Sequence, residues 1–128
     1  MKRVLIFSLA VLLPLAAAFA QSGSWAADAS GNWSAAGNWI GGVVATGTDS
    51  TAWFTNAITA GRTVTNDLSG QLIGNLFFAP VGANGWSLNG SSLSFSTAAG
   101  QSLLYVAPGG VSVGAALSGT GTVVKDGA

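Results

Sequence analysis

The sequence predicts an all-β chain whose short strands wind into a solenoid, with a β-sandwich as the alternative. Three observations predict this. Short apolar runs recur about every 8–12 residues, with glycine or polar turns between them, a spacing shared by sandwiches, barrels and solenoids. The runs themselves are very short, often with two apolar residues on one face, as in a solenoid rung. The last of them, Thr122-Val123-Val124, lies between Gly119 and Gly121 on one side and Gly127 on the other. A strand of that length cannot stand alone, because even a two-stranded hairpin is marginal in water. It needs similar strands stacked beside it, which is the logic of a solenoid.

Composition narrows the chemistry. The 128 residues suit one domain. The 19 glycines, with abundant Ser, Thr and Ala, disfavour long helices. There is no cysteine, no histidine and no glutamate. Disulfide scaffolds, thiolate metal sites and Cys or His catalysis are therefore excluded. Beyond Lys2 and Arg3, the charged residues are Arg62 and Lys125 against Asp28, Asp49, Asp67 and Asp126. With no basic patch to neutralise phosphates, nucleic acid is not an expected partner.

Residues 1–20 read as a secretory signal peptide. Lys2-Arg3 make a positive start, Val4 to Leu15 are apolar apart from Ser8 and Pro14, and Ala18-Phe19-Ala20 fits a small-x-small cleavage site before Gln21. An uncleaved anchor is the competing reading. A membrane span needs about 20 apolar residues, more than this proline-broken stretch supplies.

Residues 21–60 form a Trp-rich N-terminal cap region holding Trp25, Trp33, Trp39 and Trp53. Gly31-Asn32-Trp33 and Gly37-Asn38-Trp39 repeat at an even spacing, which puts both rings on one face of an extended chain. A solenoid exposes the apolar end of its first rung, and large amphipathic rings can cover it. Burying one Trp removes about 150–250 Å² from water, roughly 4–6 kcal/mol at 25 cal/mol per Å². The competing reading makes Trp33 and Trp39 an exposed platform on which sugar rings stack.

Residues 61–128 supply the short-strand rungs. Ser50–Thr55, still within the cap region, is the first clear strand, Asn56 and Gly61 bracket a second short run, and Arg62–Thr65 makes a third, with Val64 between Thr63 and Thr65. Arg62 and Asp67 are placed to pair across a turn. Leu72–Ala79 reads as one apolar strand bounded by Gly70 and Pro80, with Leu76 and Phe78 on one face and Phe77 opposite. Trp86 to Phe95 reads as a pair of strands around Asn89-Gly90, a strong turn dipeptide. Leu103 and Tyr105, Val111 and Val113, and then Leu117 continue the same alternation.

The tail, Leu117-Ser-Gly-Thr-Gly-Thr-Val-Val-Lys-Asp-Gly-Ala128, resembles the opening of the autotransporter-associated β-strand repeat, also called the passenger-associated transport repeat. Its pattern L-S-G-x-G-x-V-x-K-x-G-x is matched here, and the first recognisable repeat breaks off at 117–128. Gly31 to Trp39 is similar to the NW segment often found at the start of such chains. The resemblance implies a right-handed parallel β-helix. It also implies a passenger carried to the bacterial cell surface or outer membrane, with a membrane barrel further along.

Three functions compete. The first is a non-catalytic, surface-displayed stalk or adhesin, whose partners would be surface glycans or a host or neighbouring cell. The second is a carbohydrate-binding module using Trp33 and Trp39. The third is a β-helix enzyme acting on polysaccharide. Glycoside hydrolysis needs two carboxylates facing each other, and Asp49 with Asp67 is the pair to test. Such lyases combine acids, calcium and a basic residue, and only Arg62 and Asp67 are neighbours of that sort. No catalytic residue, metal ligand or cofactor is assigned, since Ser and Thr have no histidine base here and the glycine pairs lead into no helix.

Overall fold

A computed structural model describes residues 19–127. The leader expected at residues 1–20 therefore lies outside the described residues, except for Phe19 and Ala20. Twelve strands follow one another: β1 Gly23–Ser24, β2 Gly31–Asn32, β3 Thr51–Phe54, β4 Arg62–Asn66, β5 Gln71–Ile73, β6 Asn75–Phe78, β7 Trp86–Gly90, β8 Leu93–Phe95, β9 Gln101–Val106, β10 Val111–Val113, β11 Leu117–Gly119 and β12 Thr122–Gly127. Two 3-10 turns, Ala36–Asn38 and Ile40–Gly42, separate β2 from β3.

The strands sort into three sheets. Sheet I has the order β1-β3-β6-β9-β12, sheet II β10-β7-β4-β2, and sheet III β11-β8-β5. Consecutive strands always enter different sheets, and every paired ladder is parallel. Three successive coils, β3-β4-β5, β6-β7-β8 and β9-β10-β11, therefore stack as a β-solenoid. The sandwich alternative is excluded, because a sandwich pairs its strands antiparallel within two facing sheets.

Each coil lies over the one before it. Ala52 aligns with Leu76 and Leu76 with Leu104. Asn75 Nδ2 donates to Thr51 Oγ1, 24 residues away, and Asn75 Oδ1 accepts from Leu103 N, 28 residues on. Alternation then sets the core. Ala52 and Phe54, Val64 and Asn66, and Gln71 and Ile73 point inward in the first coil and are buried. Leu76 and Phe78, Trp86 and Leu88, and Leu93 and Phe95 repeat this in the second.

The corners depart from two expectations. Leu72–Ala79 is two strands in two sheets, not one. Gly74 makes the corner: a Cβ there would lie 2.7 Å from Ser50 O and 2.8 Å from Asp49 Cα, so no other residue fits against that backbone. Trp86 to Phe95 is likewise no hairpin. Gly90, at φ 98°, turns β7 toward a different sheet, and Ser91 N donates to Asn66 O in the coil before. A turn dipeptide thus serves a corner as well as a hairpin. Register also corrects β9: Ser102, Leu104 and Val106 align with the inward face, while Leu103 and Tyr105 face out, with Tyr105 beside Phe77.

Candidate functional site: two unlike ends and an aromatic outer face

The N-terminal end of the core is covered by a lid. Ahead of the first coil, the chain runs antiparallel to itself at the Gln21–Thr46 and Trp25–Trp39 bridges. The two 3-10 turns carry Trp39 back over β1, so the even spacing of Trp33 and Trp39 acts through a turn and not through an extended strand. Trp25, Trp33 and Trp39 are 1%, 0% and 3% exposed. Trp39 meets both of the others edge to face at 5.2 Å, an arrangement that adds about 0.5–1.5 kcal/mol beyond area burial. All three rest on Phe54 at 5.7–5.9 Å, and Phe54 stacks on Phe78 at 4.8 Å and 8°. Trp86 joins from the second coil, 5.5 Å from Phe54.

The lid's polar atoms are spent internally. Trp25 Nε1 donates to Ala27 O, Trp33 Nε1 to Ala45 O and Trp39 Nε1 to Trp33 O, at 2.8–3.0 Å. Gln71 Nε2 also donates to Ala45 O, tying sheet III to the lid. Trp33 and Trp39 therefore offer neither a ring face nor an indole donor to a sugar in this structure. Trp53, grouped with the cap on sequence grounds, lies half-buried on the outside of sheet I, and Trp86 takes its place in the core. The signal for this was in Ala52-Trp53-Phe54: Phe54 and Trp53 cannot face the same way, and the smaller Ala52 shares the side of Phe54.

The opposite end is uncovered among the described residues. Leu117 and Val123 are 36% and 41% exposed. With Phe95, Ser118 and Gly119 they line a cavity of about 390 Å³. Among the described residues no strand pairs with the outer edge of β12, and the inward columns reach Gly119, Lys125 and Gly127.

The flanks differ from one another. Sheet I carries Trp53, Phe77 and Tyr105 in register down its outer face, with Phe77 and Tyr105 stacked at 5.5 Å. Sheet II carries Thr63, Ser87 and Ser112 in one column, with Thr65 and Asn89 in the next. In sheet III, Ser94 and Ser118 share a hydroxyl hydrogen bond at 3.1 Å.

The four carboxylates do not converge on a reacting bond; each accepts from a backbone N–H. Asp28 accepts from Thr59 N and Oγ1 and forms a 2.8 Å ion pair with Arg62 Nε. Asp67 accepts from Ser34 N and Oγ. Asp49 takes Ala98 N and Asp126 takes Gly127 N. The expected Arg62–Asp67 pair is thus replaced by Arg62–Asp28, because Asp28 lies in the coil that stacks beside Thr59. The Arg62 guanidinium, then the Thr59 hydroxyl and N–H, hold Asp28 down to about 2. Hydrogen bonds from the Ser34 hydroxyl and N–H lower Asp67. Among the described residues no three His, Cys, Asp or Glu side chains gather as metal ligands, and no helix is long and apolar enough to cross a membrane. No family model matches the chain, and no curated protein or solved structure matches it either.

Proposed function

We propose that this chain is the capped first segment of an exported, surface-displayed β-helical rod that acts as a structural stalk or adhesin and carries out no reaction of its own. The observation that carries the reading is the asymmetry of the two ends. Three buried indoles seal the first coil, whereas the last coil presents Leu117, Val123 and an apolar cavity. A solenoid with one closed end extends in one direction only, and its coils can order one after another. The carboxylates support the non-catalytic part, since each is held on a backbone N–H. The signal-like N-terminus and the resemblance of the tail support export.

The test is expression of the full chain in a Gram-negative host, followed by cell fractionation and mass measurement of the product. Export with a new N-terminus at Gln21 is the expected result. Full-length protein retained in the cytoplasm would overturn the reading.

The outer aromatic column favours a second reading, in which sheet I binds glycans. Trp53 is the half-exposed indole, while Trp25, Trp33, Trp39 and Trp86 are buried. A glycan that quenches tryptophan fluorescence in the native chain, but not in Trp53→Phe, would place binding on this face.

A further inference from the structure

Two asparagine–glycine pairs lie in the second coil, Asn84-Gly85 just ahead of β7 and Asn89-Gly90 at its end. Asparagine is one of the thermolabile residues. It is weakest before glycine, because no side chain shields the backbone nitrogen that follows. The stacking of the coils requires both glycines. A Cβ at Gly85 would lie 2.6 Å from Gly109 O, and one at Gly90 would run into Asn66 O. Gly90 also stands at φ 98°, a conformation that side chains strain. A bulkier residue therefore cannot follow either asparagine and slow its chemistry.

The two asparagines differ in how they are held. Asn84 is half-buried, and its Nδ2 donates to Ile58 O in the first coil at 2.9 Å. The backbone beside it is fixed from both sides: Arg62 N donates to Gly85 O, and Gly85 lies against the carbonyls of Gly109 and Gly110. Asn89 and Gly90 are both exposed. Among the described residues no hydrogen bond holds the Asn89 carboxamide. Its Oδ1 rests over Gly114, in the space that a Cβ of residue 114 would fill. The same reactive dipeptide thus occurs once clamped between coils and once at an open corner.

We propose that Asn89 is a site of spontaneous deamidation, whereas the fold protects Asn84. Gly90 N gives its proton to base in the solvent and attacks Asn89 Cγ. The new N–Cγ bond closes a succinimide ring, the Cγ–Nδ2 bond breaks, and the amide nitrogen takes a proton from water and leaves as ammonia. Water then opens the ring at either carbonyl, leaving aspartate or isoaspartate at position 89. Both products set a carboxylate beside Thr65 on the outer face of sheet II. Isoaspartate also routes the backbone through Cβ and lengthens it by one carbon. That change falls at the corner where Ser91 N donates to Asn66 O and Asn66 Nδ2 donates to Ser91 O and Ser92 O. For Asn84 to react, its carboxamide must first leave Ile58 O, and Gly85 must turn between two neighbouring coils. Nothing in this chemistry depends on where the protein is displayed.

The test is timed incubation of the full-length wild-type chain in mildly alkaline buffer, once native and once in concentrated urea. Tandem mass spectrometry then locates each acid product and separates aspartate from isoaspartate. In urea the two asparagines should convert at similar rates, since glycine follows each and no structure remains. In the native protein Asn89 should convert several-fold faster than Asn84. Asn89→Gln should remove the fast product, because a side chain longer by one carbon closes its ring far more slowly. Asn84→Gln should leave that product unchanged. Equal rates at the two positions in the native protein would overturn the proposal. So would Asn84 reacting first, or a native Asn89 that stays intact while the urea-treated chain converts.

Discussion

Phe54 is the residue on which the lid rests. It touches Trp25, Trp33, Trp39, Phe78 and Trp86 within 6 Å between ring centres. Replacing it with alanine leaves a cavity that four rigid indoles and a phenyl ring cannot easily close. Phe54→Ala should lower stability by about 3–5 kcal/mol in chemical denaturation. A loss under about 1 kcal/mol would mean that the rings collapse and the lid is not a packed unit. The carboxylates give a second prediction. Asp28 is held near 2, from an ordinary value of 3.8, and Asp67 is lowered as well. A lowered carboxylate adds stability that is complete above its unfolded-state value and is lost as pH falls toward its folded one. Melting temperature should therefore drop between about pH 4 and pH 2. The drop should be shallower in Arg62→Gln, which returns Asp28 toward its ordinary value; an unchanged slope would show that the Arg62–Asp28 pair is unimportant. The contribution is modest, because water and salt screen an exposed ion pair.

Among the elements, the corners specify the fold more sharply than the strands do. Gly74 separates β5 from β6 because the backbone of Asp49 and Ser50 passes directly over it, and Gly74 N and Asn75 N both donate to Ser50 O. Gly74→Ala should cost about 1–3 kcal/mol through overpacking, with a lower denaturation midpoint as the readout. Stability equal to wild type would show that the corner relaxes freely. Asn66 does similar work at the next corner. Its Nδ2 donates to Ser91 O and Ser92 O in the coil above, and its Oδ1 accepts from Leu68 N. These bonds tie the β4–β5 corner to the corresponding corner of the coil above.

At the scale of the molecule, stability is graded along the solenoid axis. Contacts run from each coil to its neighbours, so the free energy is approximately a sum over coils and the surfaces between them. The lid and the first two coils hold the fully buried residues, whereas β11 is exposed throughout and β12 nearly so. Amide exchange should therefore be slowest in β3, β4, β6 and β7 and fastest in β11 and β12. Uniform protection from end to end would contradict a graded solenoid.

The amino-acid sequence by itself determined that the chain is all-β and finely divided. Glycine spacing and two-residue alternation are local properties, and they place Val64, Leu76, Phe78, Leu88, Leu93 and Phe95 in the core without any knowledge of the partners. It also indicated that tryptophans would seal one end, since four of the five cluster between residues 25 and 53, where the first coil begins. Tertiary structure alone decided which strands are neighbours. Parallel partners lie between 21 and 33 residues apart, joined across corners that read like hairpin turns, and no local signal separates the two. The side on which Leu103 and Tyr105 fall, the choice of Asp28 over Asp67 as the partner of Arg62, and the inward position of Lys125 all follow from that stacking. Each is set by the coil beside it in space, and a reading of consecutive residues does not contain that coil.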